Sequence, residues 1–266
     1  MQGSPSLYKL NIVHMDLKQR DGDLVGVLEK LNKKEKNEIA KVLKYDSFAE
    51  LKNKYGVERD DLALEKEIRY AGSDWITDGV FSDDWATYGK IVRRVAKSVK
   101  AKYTDNTTAE DLEQRILRII VDKAWEKMDE GKRREYEKTV CEFEDQMRAE
   151  DPEKLKELLE YLNVNSMRGM APGVLLSAGM AFSFGGFLSY QILVIVMAAI
   201  GRTLGIKIAM NAVTKSAALF IPGLNIVMGV WMAWDVMRII SGPAMRKIVP
   251  VVPLLCMARI RQRAEG

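Results

Sequence analysis

Histidine and cysteine are scarce in this chain, and their scarcity removes several kinds of chemistry. His14 is the only histidine in 266 residues, so Ser-His-Asp triads, Cys-His pairs and multi-histidine metal sites are excluded unless His14 itself takes part. The two cysteines, Cys141 and Cys256, are far apart and have neither CxxC nor Cys/His metal-site spacing. We therefore expect free thiols in a reducing compartment, no metal site and no cofactor.

The start of the chain lacks the apolar core of a secretory signal. Residues 1–23 read MQGSPSLYKLNIVHMDLKQRDGD, in which polar and charged residues interrupt every short apolar stretch. The sequence thus predicts synthesis and residence in the cytoplasm.

Charge is missing altogether from 33 consecutive residues, 169–201. Residues 169–266 carry nine Lys/Arg and two Asp/Glu, a net charge of +7, whereas residues 1–168 carry 32 basic and 35 acidic residues, a net charge of −3. We predict two domains: residues 1–168, a charged helical body that binds partners, and residues 169–266, a basic apolar region that associates with membranes.

Strand-like alternation of useful length is absent, and helical periodicity fills the body. Ser47, Thr108 and Asp151 are expected to open helices. The clearest amphipathic helix is expected to be capped by Ser82 or Asp83, with an apolar stripe of Trp85, Tyr88, Ile91, Val92, Val95 and Val99. We predict an all-α fold: a multi-helix body, then a Gly/Ala-rich apolar helical hairpin and a short basic C-terminal helix.

Charged clusters in the body have ordinary structural explanations. The cations Lys90, Arg93, Arg94, Lys97, Lys100 and Lys102 could contact phosphates or anionic lipid headgroups, but a solvated helix face is the favoured interpretation. The pairs Asp60/Asp61, Asp83/Asp84 and Asp111/Glu113 lie near predicted helix N-termini, where the helix dipole favours acids. We expect neither enzymatic activity nor a nucleic-acid partner.

The apolar region has the length and composition of membrane-associating helices. Residues 174–200 are long enough to span a bilayer, and residues 217–234 nearly are. Small residues recur every four positions, which predicts a face through which the hairpin packs: Gly173, Ser177, Ala181, Gly185 and Ser189.

Basic residues in the same region predict contact with anionic headgroups. They lie on an amphipathic segment between the two apolar runs and on the C-terminal helix: Arg202, Lys207, Lys215, Arg259, Arg261 and Arg263. Three interpretations stay open, namely constitutive spanning, conditional or peripheral insertion, and a hairpin that is the core of a soluble helical bundle and never meets lipid.

With these segments in view, the chain resembles the YaaW family of bacterial proteins over most of its length. The resemblance is carried by Glu67-Ile68 with Gly72, by Trp125-Glu126-Lys127-Met128, and by Gly242-Pro243-Ala244-Met245-Arg246 followed by Pro250 and Arg259. Ser73, Arg94 and Met245 depart from the residues usual at those positions of the family.

The resemblance implies a helical protein without established catalytic residues. The family is grouped distantly with chaperones of ubiquinol–cytochrome c reductase assembly and includes the sensor of the jumbo-phage-killer defence system. It therefore implies a sensor or adaptor of early phage infection that meets a membrane or a phage-derived lipid vesicle and acts with a second defence protein encoded nearby. A soluble assembly chaperone or scaffold and a pore-forming effector are the alternatives, and homo-oligomerisation is left open.

Overall fold

The computed structural model describes residues 20–73, 85–180, 186–203 and 245–265. Within these ranges the chain forms helices and turns and contains no strand, which confirms the all-α prediction. In chain order the helices are α1 (Gly22–Leu28), α2 (Lys33–Val42), α3 (Phe48–Tyr55), α4 (Asp60–Gly72), α5 (Tyr88–Val99), α6 (Ala109–Lys127), α7 (Glu130–Glu150), α8 (Pro152–Leu162), α9 (Pro172–Met180), α10 (Gly186–Thr203), α11 (Met245–Ile248) and α12 (Val251–Glu265).

Three of the helix starts expected from local sequence are confirmed. The Ser47 hydroxyl accepts a hydrogen bond from the Glu50 N–H at 3.4 Å, and the Thr108 hydroxyl accepts one from the Asp111 N–H at 3.1 Å. The Asp151 carboxylate accepts from the Lys154 N–H at 3.2 Å, with Pro152 as the first helical residue. Each cap satisfies a backbone donor that the first helical turn leaves without a partner.

The expected start of α5 is wrong. The helix begins at Tyr88 rather than at Ser82 or Asp83, both of which lie outside the described residues. Trp85 is buried, as its place in the stripe predicts, but it lies before the helix. The Arg69 guanidinium donates hydrogen bonds to the Trp85 and Ala86 carbonyl oxygens at 2.9 and 3.2 Å. These two carbonyl groups therefore bond to a side chain of another helix and not to N–H groups within α5.

Contacts divide the chain into two compact units, residues 1–112 with 240–252 and residues 113–239 with 253–266. Helices α6 and α12 each begin in the first unit and continue in the second. The expected boundary at residue 168 falls inside the second unit, because the charged helix α7 packs directly on the apolar helix α10. The roles assigned to residues 1–168 and 169–266 stay predictions.

Helix α4 is the centre of the first unit. It packs against α1, α2, α3, α5 and α11. At its end, Gly72 lets α5 approach closely, since a Cβ atom on Gly72 would lie 2.7 Å from three side-chain atoms of Ile91. The Arg94 guanidinium then donates to the Gly72 carbonyl oxygen at 2.8 Å and satisfies one of the last acceptors of α4.

Helix α10 is the centre of the second unit. It packs against α9 and α7, and α7 packs against α8. Every side chain from Ile192 to Ile200 is at least 97% buried, so α10 is enclosed on all sides along this stretch. A helix that is apolar all round is found where other apolar groups surround it.

Candidate functional site: an apolar helix pair

The apolar helices α9 and α10 pack side by side through a close backbone approach at Gly179. A Cβ atom built on Gly179 would lie 2.9 Å from the Ile192 Cβ and 3.2 Å from the Ser189 carbonyl oxygen. No larger side chain fits between the helices at this point. Because residues 179 and 189–192 are neighbours across the pair, residues 174–200 do not form the single continuous helix expected from their length.

Members of the predicted small-residue face have different surroundings. Gly173 abuts the Asp122 carboxylate of α6, and the Ser177 hydroxyl donates to the Gly173 carbonyl oxygen at 2.6 Å. Ser189 is half-buried and lies opposite Gly179, while Ala181 and Gly185 are outside the described residues. The glycine that joins the pair is therefore Gly179, which the period-four pattern did not include.

The carboxylate of Asp122, on α6, lies against the start of the uncharged helix α9. Burial raises the pKa of its carboxyl group, and the nearby Glu126 adds to the rise. The Arg118 guanidinium, with its Nε 3.6 Å from the Asp122 carboxylate, opposes this shift without cancelling it. The charged form of Asp122 is thus disfavoured where the start of α9 meets α6.

The far end of α10 is fastened to the turn between α6 and α7. The Thr203 hydroxyl donates to the Ile200 carbonyl oxygen at 2.7 Å and lies 3.9 Å from the Met128 sulfur. Nearby, the Trp125 ring meets the Tyr136 ring edge-on at 5.1 Å and carries the Arg133 guanidinium 5.0 Å from its centroid. Trp125 and Met128, two residues of the family resemblance, thus have packing roles.

The predicted headgroup-binding residues of the C-terminal helix are not equally available. Arg259 pairs with Glu113 at 3.1 Å, and Glu113 is completely buried. Arg261 is buried and pairs with Glu265, one turn further along α12. Arg263 is exposed. The side chain of Arg202, together with Lys207 and Lys215, lies outside the described residues.

The acidic pairs of the body are found in structural settings. Asp60 and Asp61 form the first turn of α4, and Asp111 lies in the first turn of α6, while Asp83 and Asp84 lie outside the described ranges. Glu113 differs from the expectation, because it is fully buried and pairs with Arg259. No group of three or more His, Cys, Asp or Glu side chains with metal-binding geometry occurs among the residues that the structure describes.

None of the helices in the part of the chain that the structure describes combines the length and the hydropathy of a membrane span. Local patterns gave no signal for the most constrained contacts, Gly179 with Ile192 and Glu113 with Arg259, because both join residues distant in sequence.

The chain is similar to a UPF0174 protein of Helicobacter pylori. The two are 26% identical over 204 residues, which cover 74% of this chain and 70% of the relative. No family model and no solved structure matches this chain. The name of the relative specifies no activity, so the similarity extends over most of the fold without adding a reaction or a ligand.

Proposed function

We propose that this protein is a non-enzymatic helical sensor or adaptor that associates conditionally with a lipid membrane and acts with a partner protein. The observation that carries the proposal is the helix pair α9–α10, which is joined by a close glycine contact and has no charged residue before Arg202 in the last turn of α10.

Such a helix pair can move from a protein interior into a lipid bilayer with little change in free energy. Moving a charged side chain into a bilayer is expensive, whereas apolar side chains are as well accommodated by lipid tails as by a protein core. Helices that meet through small residues also keep their mutual contact in lipid. Since residues 192–200 are enclosed, exposure of α10 requires an opening of the second unit, and association is therefore conditional.

Antiphage defence is the setting that the family resemblance supports. Cells that lack the gene should permit more productive infection by a nucleus-forming phage, measured as plaque number, and restoring the gene with its neighbour should reverse this. Equal plaque numbers with and without the gene would contradict the defence role.

A soluble helical scaffold is the second candidate function. The enclosure of α10 by its own chain favours it, because a buried apolar helix is also what a bundle core requires. The two candidates differ in whether the purified protein ever binds vesicles.

Flotation of the full-length protein with anionic and neutral vesicles tests the proposal. Val174 on α9 is 49% exposed, so Val174→Glu should leave folding intact and abolish flotation by placing a charge on the pair. Tyr161→Glu on α8, at a position 36% exposed, is the matched control and should float like the parent protein. No flotation of the parent with any vesicle would favour the scaffold. Equal flotation of both variants would mean that the protein binds vesicles through a surface other than the helix pair.

A further inference from the structure

The ammonium group of Lys54 lies at the meeting point of three tyrosine rings in the first unit. Its Nζ is 4.6 Å from the centroid of Tyr70, 4.9 Å from that of Tyr55 and 5.3 Å from that of Tyr45. Two of these distances, to Tyr70 and Tyr55, are cation–π distances. The Tyr45 ring is reached only through its hydroxyl oxygen, which lies 2.6 Å from Nζ. We call these three rings with Glu67 the tyrosine cage.

A buried carboxylate completes the tyrosine cage. Glu67 is only 1% exposed, and its Oε2 accepts from Lys54 Nζ at 2.5 Å and from the Tyr55 hydroxyl at 2.7 Å. Lys54 also donates to the Tyr45 hydroxyl oxygen at 2.6 Å. Burial, followed by the charge of Glu67, raises the pKa of Tyr45 and of Tyr55, so both hydroxyls keep their protons.

The cage is rigid on one side and accessible on the other. Trp85 packs against Tyr55 and Tyr70 with ring centroids 6.0 and 5.7 Å apart, and Arg69 holds the Trp85 carbonyl oxygen. Tyr70, by contrast, is 39% exposed and the Lys54 side chain is 28% exposed. The occupant is thus a long side chain that enters from the solvent side, whereas Tyr55 and Glu67 on the opposite side are buried.

We infer that the tyrosine cage is a recognition site for a primary ammonium group of a ligand, and that Lys54 is an internal occupant which such a group displaces. Glu67 supplies the counter-charge, the Tyr55 and Tyr70 rings supply cation–π attraction, and the Glu67 and Tyr45 oxygens accept two N–H bonds that only an ammonium with hydrogens can donate. The inference is independent of membrane association.

Removal of Lys54 should open the site to an added ammonium ion. Lys54→Ala should bind n-butylammonium saturably at constant ionic strength, measured by calorimetry and by shifts of the tyrosine ring resonances. 1-Butanol and potassium ion are the controls for shape and charge. The double variant Lys54→Ala/Glu67→Gln should bind at least about tenfold more weakly, because the counter-charge is lost.

The wild-type protein should bind n-butylammonium in competition with Lys54. If Lys54 fills the cage more than about nine-tenths of the time, the apparent affinity falls at least about tenfold relative to Lys54→Ala. Absence of saturable binding to folded Lys54→Ala, or resonance shifts in the wild type that leave the three tyrosines untouched, would overturn the inference.

Two further arms define the ligand and guard against misfolding. Tetramethylammonium should bind more weakly than n-butylammonium, and the reverse order would contradict recognition of a primary ammonium.

Ethanolamine phosphate represents an aminolipid headgroup and n-butylammonium a lysine side chain, so their ranking separates these two sources. Should Lys54→Ala fail to fold, Lys54→Ser leaves comparable space, and its cage should take up methylammonium; failure of folded Lys54→Ser to do so would overturn the inference.

Discussion

Asp61 shows how a single buried carboxylate is kept in its charged form. It accepts hydrogen bonds from Arg20 at 2.8 Å and from Arg59 at 2.6 Å, and its side chain is largely buried. Burial by itself raises the pKa of Asp61, but the two guanidinium groups outweigh it and the pKa is lowered overall. The folded state thus binds a proton at this site less readily than the unfolded chain does.

The free energy of unfolding should therefore depend on Asp61 at acidic pH. Because the folded pKa lies below the unfolded value of about 4, the contribution is complete above that value and disappears as pH falls through the folded pKa. Urea unfolding from about pH 2 to about pH 6 should show Asp61→Asn less stable than the parent at the upper end, with the two converging at the lower end. Exposed Asp105→Asn is the control. A difference between Asp61→Asn and the parent that is constant over the range would be inconsistent with this account.

Single residues were predictable from sequence where their partner is local. Each of the three confirmed caps accepts a hydrogen bond from the N–H group three residues later, and this spacing can be read from the sequence: the caps are Ser47, Thr108 and Asp151. The cap of α5 is different, because Asp21 Oδ2 accepts the Tyr88 N–H at 2.6 Å from 67 residues away. No local pattern encodes a partner at that separation.

Among the helices, α5 and α10 mark the limits of periodicity. In α5 the apolar stripe predicted the buried side chains correctly, and all five are buried: Tyr88, Ile91, Val92, Val95 and Val99. In α10 every position of residues 192–200 is apolar and buried, so no stripe distinguishes the face toward α9 from the face toward α7. Which face of α10 packs against α9 then depends on surface shape. Gly179 provides the gap that lets the two helices approach, and a hydropathy pattern does not show it.

Two glycine-to-alanine changes should have opposite signs. Gly179→Ala should destabilise the protein by about 1–3 kcal/mol, because the new methyl group meets the Ile192 Cβ and the Ser189 carbonyl oxygen. Gly26→Ala, in the exposed middle of α1 with nothing within 4 Å, should stabilise it by about 0.5–1 kcal/mol. Urea unfolding measures both. A neutral Gly179→Ala would mean that α9 and α10 are not in close contact in solution.

At the scale of the whole molecule, composition and packing divide the chain differently. The charge difference between −3 and +7 was readable from sequence, whereas the compact units combine residues 113–168 with the apolar stretch that follows. Composition indicates whether a segment is stable in water or only in apolar surroundings. Which segments share a core depends on complementary surfaces, as between α7 and α10, and these are not a property of either segment alone.

The net charge of +7 in residues 169–266 should govern capture by anionic vesicles but not retention. Raising the salt concentration from about 0.1 M to about 1 M shortens the screening length from about 10 Å to about 3 Å. Salt added before the vesicles should therefore reduce flotation, whereas salt added afterwards should release little protein, because apolar contacts are insensitive to screening. Neutral vesicles are the control. Complete release by late salt would indicate purely electrostatic adhesion.

The contact between α4 and α11 has a consequence for synthesis of the chain. The first unit includes residues 240–252, whereas its helices α1 to α5 are complete once residue 112 has been made. At about 5–20 residues per second, a ribosome takes on the order of ten seconds to cover that gap. During this interval the nascent α4 lacks α11, so the part of its surface that α11 covers in the folded protein stays uncovered.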